Sequence, residues 1–188
     1  MKRLWTLVAP LFLAPWVTPM GGPAGPSSAA AQELDAVQLP HPVMEGGMPL
    51  MQALKERRSS RSFLDRDLPL QTLSNLLWAA WGVNRSDGHR TAPSAVNWQE
   101  VEIYVLRREG IHKYNATEHR LEPVRASDHR AMAGMQEFVA TAPLNLVYVA
   151  DLSKIQRESA EEKVFYSSID TGFIAQNVYL FCASEGLS

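Results

Sequence analysis

Cysteine is nearly absent from this chain of 188 residues, whose one cysteine is Cys182. A single cysteine excludes an intrachain disulfide and a metal cluster built from cysteines. Cys182 lies in the apolar run Val178-Tyr179-Leu180-Phe181-Cys182-Ala183. We therefore expect a buried thiol that packs as a small hydrophobic group, and the alternative of a reactive thiol has less support.

Other signatures of common catalytic sites are missing too. None of the five histidines stands in a His-x-x-x-His or His-Glu-x-x-His pattern, so we expect no metal site. No Gly-x-Ser-x-Gly motif is present, which leaves an elbow-type hydrolase without its nucleophile. The formal net charge of -2 gives no broad attraction to nucleic acid or acidic lipid, so any anion site must be local.

The first 31 residues have the pattern of a secretory signal peptide. Lys2-Arg3 form a basic start, Leu4 to Val17 an apolar run, and Ala29-Ala30-Ala31 a cleavage site before Gln32. The apolar run is too short for a comfortable membrane span, so we expect no stable span after cleavage. The sequence thus predicts an exported protein, periplasmic or secreted. An uncleaved anchor or a disordered head is the alternative, because the segment before the cleavage site is long and rich in glycine, proline and serine.

Hydrophobic periodicity predicts an α+β fold in the mature chain, with a flexible linker over residues 32–48 and one domain over residues 49–188. The last helix has apolar residues nearly all round, so we expect it to be buried, either centrally or against a second subunit. The expected helices follow Pro49 and Pro69 and span residues 128–135 and about 160–185. The expected strands run from Val101 toward Gly110, over residues 111–114 and 120–124 as a hairpin, and over residues 144–150 as a strand covered on both faces.

The stretch Arg57-Arg58-Ser59-Ser60-Arg61 puts three guanidinium groups and two hydroxyls into five residues. A basic cluster in a loop is usually a solvated charge run, and spacing alone favours that interpretation. The alternative is an anion site, because guanidinium forks match phosphate oxygens and hydroxyls add uncharged donors at the same place.

Four motifs, in this order, resemble the FMN-dependent nitroreductase family. They are Arg57-Arg58-Ser59-Ser60-Arg61-Ser62-Phe63, Leu76-Leu77-Trp78-Ala79-Ala80, Ala92-Pro93-Ser94-Ala95-Val96-Asn97-Trp98-Gln99, and Asp170-Thr171-Gly172 followed by Gln176-Asn177. The loop from His89 to Ala95 and the hairpin after Gly110 resemble the SagB/ThcOx-type dehydrogenase branch in particular. The resemblance implies a nitroreductase-like fold, a central and mostly antiparallel sheet flanked by helices, with the family's C-terminal part missing from this chain.

The resemblance also implies a cofactor site divided between two subunits. Arg57, Arg58, Ser59 and Arg61 match the positions that bind the phosphate and ribityl chain of FMN. Pro93, Ser94, Ala95 and Asn97 match a loop that lies along the isoalloxazine ring and is contributed by the partner subunit of a homodimer. The long apolar helix would pack at the dimer interface.

The chemistry implied by the resemblance is electron transfer through bound flavin. The family takes a hydride from NAD(P)H and passes electrons to a nitroaromatic, quinone or similar acceptor, whereas the SagB/ThcOx-type branch oxidises azolines in peptides. No side chain need act as acid or base, so none is assigned as catalytic. The alternative is an exported family member that binds flavin or a partner without turnover.

Overall fold

The computed structural model of this chain describes residues 33–187, and a five-stranded sheet with only antiparallel neighbours lies at its centre. The strand order is β1-β4-β3-β2-β5. The strands are β1 Val37–Gln38, β2 Val101–Leu106, β3 Gly110–Asn115, β4 Arg120–Ala126 and β5 Asn145–Ala150. The helices are α1 Leu50–Glu56, α2 Leu70–Trp81, α3 Glu137–Thr141 and α4 Ala160–Glu185, with 3₁₀ turns at Ala95–Asn97 and Arg130–Ala133. The predicted α+β class and antiparallel sheet are confirmed.

Helix α2 supplies much of the core, because its apolar stripe has the 3.6-residue period that places side chains on one face. Leu73, Leu77 and Ala80 on this stripe belong to the same buried cluster as Val101 and other residues of β2. The helix ends at Gly82, where a Cβ atom would stand 2.3 Å from the Trp78 side chain. Glycine is therefore required at this end of α2 for steric reasons.

Capping residues mark both ends of helix α4. The Ser159 side chain accepts a hydrogen bond from the Glu162 N–H, and Gly186 closes the helix in the left-handed conformation, with φ 66°. Only Ser167, Asp170 and Ile174 are buried along its 26 residues. Other apolar side chains of α4 remain exposed: Val164, Phe165, Ile169, Phe173 and Tyr179. The helix is therefore only partly buried within the described chain, and its packing against a second subunit stays a prediction.

Part of the segment expected to be a flexible linker, residues 32–48, joins the sheet instead. Val37 in β1 pairs with Leu121 in β4, and Leu39 is buried in the core. The Ser74 hydroxyl also donates to the carbonyl of Pro40, at 2.5 Å. Two strand residues give too short a pattern for periodicity to detect, so this element was missed.

Two further elements differ from the sequence predictions. The helix expected over residues 128–135 is a single 3₁₀ turn, held by the buried side chain of Arg130, which donates to the Ala142 carbonyl at 2.8 Å. Within residues 33–187, strand β5 lies at the sheet edge with β2 as its one neighbour. Its side chains are half-buried, except the exposed Val149, and are not fully covered on both faces.

Within residues 33–187, none of the helices is both long enough and apolar enough to span a bilayer. The predicted signal peptide, residues 1–31, lies outside the described residues.

Candidate functional site

The basic loop lies between two elements that fix its position. Helix α1 ends at Arg57, whose N–H donates to the Ala53 carbonyl at 2.9 Å, and the chain then leaves in an extended conformation. Ala53 is buried, and the Met48 N–H just before α1 donates to the Ser184 hydroxyl on α4 at 2.7 Å. These contacts place the loop beside the C-terminal end of α4.

A cavity of about 450 Å³ opens between this loop and α4. Its polar wall is formed by Arg58, Ser59, Ser60 and Arg61, with the carboxylate of Glu56 at the same side. The opposite wall belongs to the end of α4 and includes Tyr179, Cys182, Ala183 and Gly186. Arg57 lies just outside this lining, with its guanidinium 5.8 Å from the centre of the Tyr179 ring.

The charges of the basic loop are not neutralised inside the described part of the chain. Among residues 33–187, no carboxylate oxygen lies within 4.0 Å of a guanidinium nitrogen of Arg57, Arg58 or Arg61. Guanidinium groups without a carboxylate partner keep their donors available for a bound anion. The donor set therefore fits a bound anion that accepts from several groups at once.

A second cavity, of about 370 Å³, adjoins the first and is mainly apolar. Phe63, Phe138, Val178 and Cys182 line both cavities. Burial raises the pKa of the Cys182 thiol to about 11, so the thiol is neutral near pH 7 and agrees with the expected inert role. The two cavities together offer an anion-binding end next to an apolar wall.

The second predicted loop, Pro93 to Asn97, lies elsewhere on the same chain. Pro93 and Asn97 are exposed, whereas Ser94 and Ala95 are half-buried, and none of the four lines either cavity. The Ala95 N–H donates to Oδ2 of Asp170 in the middle of α4, at 2.8 Å. Asp170 and Cys182 are 12 positions apart on one helix, a separation of about 18 Å at 1.5 Å per residue. Within one chain, the structure therefore does not bring the two predicted halves of the site together.

The backbone of the second loop is strained. Val96, Asn97 and Gln99 have positive φ values of 51°, 56° and 49°. This conformation is unfavourable for any residue with a Cβ atom, and most of all for β-branched valine. Val96 is nevertheless 75% exposed, so packing of its own side chain does not compensate.

Hydrogen bonds from neighbouring elements hold the strained loop in place. The Ser94 hydroxyl accepts from the Gln99 N–H at 3.0 Å, and the Gln99 side chain accepts from Arg90 Nε at 2.7 Å. Arg90 in turn donates to the Trp81 carbonyl and lies 4.9 Å from the Trp81 ring centre. The end of α2 thereby positions this loop through two side chains.

A buried carboxyl group next to the loop was not anticipated from the sequence. Glu100 is fully buried, and neither oxygen of its carboxyl group meets a donor among the described residues. Burial raises the pKa of Glu100, and the adjacent Asp170 carboxyl raises it further. Glu100 directly precedes β2, at a position where an alternating strand pattern would place an exposed polar residue. No local signal in the sequence therefore marks it as buried.

Comparison with known proteins agrees with the fold and with the order of the motifs. The model of the nitroreductase family matches residues 54–188. A protein of Methanocaldococcus jannaschii, named as a nitroreductase, is 35% identical over 150 residues, covering 73% of this chain and 75% of that protein.

Solved structures give the same result. A crystal structure of a nitroreductase from Ralstonia eutropha JMP134 is 45% identical, with a TM-score of 0.76, and the match covers 80% of this chain and 72% of that one. A chain of the E. coli microcin synthetase McbBCD, with truncated pro-MccB17 bound, is 18% identical with a TM-score of 0.57, covering 76% and 62%. At that identity the second likeness concerns the fold alone.

Proposed function

Because the chain belongs to the nitroreductase family, we propose that it is an FMN-dependent oxidoreductase. In this proposal electrons pass from NAD(P)H or another donor, through bound FMN, to a small organic acceptor such as a nitroaromatic or a quinone. The observation that carries the proposal is the cavity of about 450 Å³ whose polar wall consists of Arg58, Ser59, Ser60 and Arg61.

The residues around this cavity fit the phosphate of FMN. Arg57, Arg58, Ser59 and Arg61 offer guanidinium and hydroxyl donors within five residues, and no carboxylate among residues 33–187 pairs with the three arginines. Each charge-assisted hydrogen bond to a phosphate contributes about 1.5–3 kcal/mol. Several such bonds are enough to hold the phosphate and ribityl end of the cofactor.

A homodimer would complete the site. We propose that Pro93, Ser94, Ala95 and Asn97 of one subunit lie along the isoalloxazine ring held by the other subunit. Two observations support this arrangement. Along α4, the anchor of the second loop lies about 18 Å from Cys182 in the wall of the first cavity, and α4 exposes Val164, Phe165, Ile169 and Phe173. An exposed apolar strip of this kind is typical of a surface that a second subunit covers.

The roles of cofactor and protein are distinct in this proposal. FMN would supply the redox chemistry, because its ring accepts a hydride and passes electrons on. The basic loop would bind the phosphate and ribityl end of FMN, and the strained loop would orient the isoalloxazine ring. The apolar wall with Phe63 and Phe138 would exclude water from one side of the cofactor. No side chain is assigned as a general acid or base.

Two finer assignments belong to the same proposal. Within the family we place the chain closest to the SagB/ThcOx-type branch, on the strength of the loop from His89 to Ala95 and the hairpin after Gly110. We also propose export, to the periplasm or beyond, on the strength of the pattern in residues 1–31. A reductant other than NAD(P)H would then be the donor if NAD(P)H is absent from that compartment.

The visible absorption spectrum of the purified protein tests the proposal. We expect flavin bands, either as purified or after addition of FMN, and bleaching of those bands on anaerobic mixing with NADH or NADPH. Dithionite serves as the control that the bound flavin can be reduced. A protein that retains no FMN contradicts the proposal. Flavin that dithionite bleaches and both nucleotides leave unchanged would exclude NAD(P)H as the donor, which leaves either another reductant or the exported, non-catalytic alternative.

A further inference from the structure

Two buried carboxyl groups lie side by side next to the strained loop. Glu100 is 0% exposed and Asp170 is 2% exposed. Asp170 is the acidic neighbour of Glu100, and Oδ2 of Asp170 accepts from the Ala95 N–H at 2.8 Å. The pair therefore connects α4, the start of β2 and the loop that carries Ser94 to Asn97.

Two ionised carboxylates cannot form this contact. Ionised carboxylate oxygens only accept hydrogen bonds, and both Glu100 oxygens lack a donor among the described residues. Burial of an unpaired charge is costly, and a second negative charge beside it raises that cost. One proton on Glu100 removes both penalties, because its O–H can then donate to Asp170. Asp170 has enough lone pairs to accept from Glu100 and Ala95 together.

The other charged group that faces Glu100 is Lys154, in the turn after β5. Its ammonium group favours the ionised form of Glu100 and so lowers the pKa. Burial acts in the opposite direction and is the largest effect, with Asp170 adding to it. The balance keeps Glu100 protonated to a higher pH than an exposed glutamate.

We propose that Glu100 and Asp170 share one proton and thereby act as positioning residues for the loop from Ser94 to Asn97. The effect on flavin rests on the proposed function, but the shared proton and its effect on the loop do not. Val96 and Asn97 adopt positive φ, so the loop needs an external anchor, and Asp170 provides one through Ala95. Loss of the shared proton places two negative charges in contact and displaces that anchor.

The first experiment needs no cofactor. Infrared difference spectroscopy of the full chain over a series of pH values should show the carbonyl band of a protonated carboxyl group that persists above pH 4.5, the ordinary pKa of glutamate. Glu100→Gln should remove that band, and the matched control Glu102→Gln should keep it. Glu102 lies two residues further along, half-buried, with Lys113 3.5 Å away. A band that the wild type loses at the pH of an ordinary glutamate, or that survives in Glu100→Gln, would overturn the proposal.

Amide hydrogen exchange reports on the loop itself. In the wild type, the protection factor of the Ala95 amide should fall as pH rises through the titration of Glu100. In Glu100→Gln it should stay constant, because the glutamine amide donates to Asp170 at every pH. Equal pH dependence in the two proteins would mean that the shared proton does not control the loop.

A third experiment tests whether the pair affects flavin binding. The FMN dissociation constant of the wild type should rise as pH rises through the titration of Glu100. The constant for Glu100→Gln should stay flat, and that for Glu102→Gln should follow the wild type. If the infrared and exchange results hold but no protein binds FMN, the proposed function fails and the positioning pair stands. If FMN binds with the same pH dependence in all three proteins, the positioning role fails and the proposed function stands.

Discussion

The Ala95 N–H donates to Asp170 Oδ2 at 2.8 Å, across 75 positions of sequence. This hydrogen bond joins a strained surface loop to the middle of the longest helix. The geometry of the loop is therefore set by α4 and does not follow from the loop's own sequence preferences. Changes to the helix, to the buried carboxyl pair or to the basic loop should have separate and measurable effects.

The basic loop gives the most direct prediction. Arg57→Ala combined with Arg61→Ala should abolish FMN retention, because several charge-assisted hydrogen bonds of about 1.5–3 kcal/mol each would be lost. Fluorescence titration with FMN measures the effect. Lys55→Ala, which removes one exposed cation from the preceding helix, is the control and should bind FMN as the wild type does. Equal losses in both proteins would mean that the five-residue stretch is only surface charge.

The anchor of the strained loop gives a second prediction. Asp170→Ala should lower the free energy of unfolding by about 1–3 kcal/mol, because the Ala95 N–H loses its buried acceptor. Asp170→Asn should cost less, since its side-chain oxygen can still accept from Ala95. Urea denaturation at pH 7 compares the three proteins. A full loss in Asp170→Asn would show that the negative charge, and not the acceptor, holds the loop.

The third prediction concerns pH and stability. The pKa of Glu100 in the folded protein is raised above the ordinary value of 4.5, so the folded state binds the proton more tightly than the unfolded state. The resulting stabilisation is fully present below pH 4.5 and is lost as pH rises through the raised pKa. Glu100→Gln should therefore gain in stability relative to the wild type as pH rises across that window. Urea denaturation of both proteins at a series of pH values gives the difference, and a constant difference would contradict the raised pKa.

The exposed apolar strip of α4 gives a fourth prediction. Ile169 is 40% exposed and Phe173 is 46% exposed, so an acid at each site should be tolerated by an isolated subunit but not by a buried interface. Ile169→Glu with Phe173→Glu should yield a folded monomer with weakened FMN binding. Sedimentation equilibrium and circular dichroism provide the two measurements. Met132→Glu with Met135→Glu makes the same chemical change at exposed sites away from α4 and should leave the assembly unchanged. A dimer that persists in the α4 variant would exclude this strip from the interface.

Sequence patterns predicted the larger elements well, because their signals are local and repeated. The stripe of α2, with Leu73, Leu77 and Ala80, follows the helical period over three turns, and the structure confirms it over Leu70–Trp81. Strand β1 was missed because a two-residue strand has no period. Arg130 shows a different limit, since a long-range hydrogen bond to Ala142 shapes a segment that local propensity would make helical.

The candidate site also has one part that the sequence reveals and another that only the folded structure reveals. The basic loop is visible in the sequence because its chemistry is concentrated in five adjacent residues. Glu100 and Asp170 are 70 positions apart, and only tertiary structure makes these two buried residues neighbours. The strain at Val96 is equally hidden, because valine is among the residues least suited to positive φ. Burial and strain are properties of the assembled fold, so single-residue preferences do not reveal them.

The distance along α4 between the anchor of the strained loop and the cavity beside the basic loop, about 18 Å in one chain, affects how the amount of bound flavin would depend on protein concentration. If each flavin needs the basic loop of one copy and the strained loop of another, cofactor occupancy becomes a function of protein concentration. Dilution would then release flavin even in the presence of fixed free FMN, and a tenfold dilution series would separate this behaviour from simple loss of affinity. The concentration of the chain itself would set how much of it is loaded.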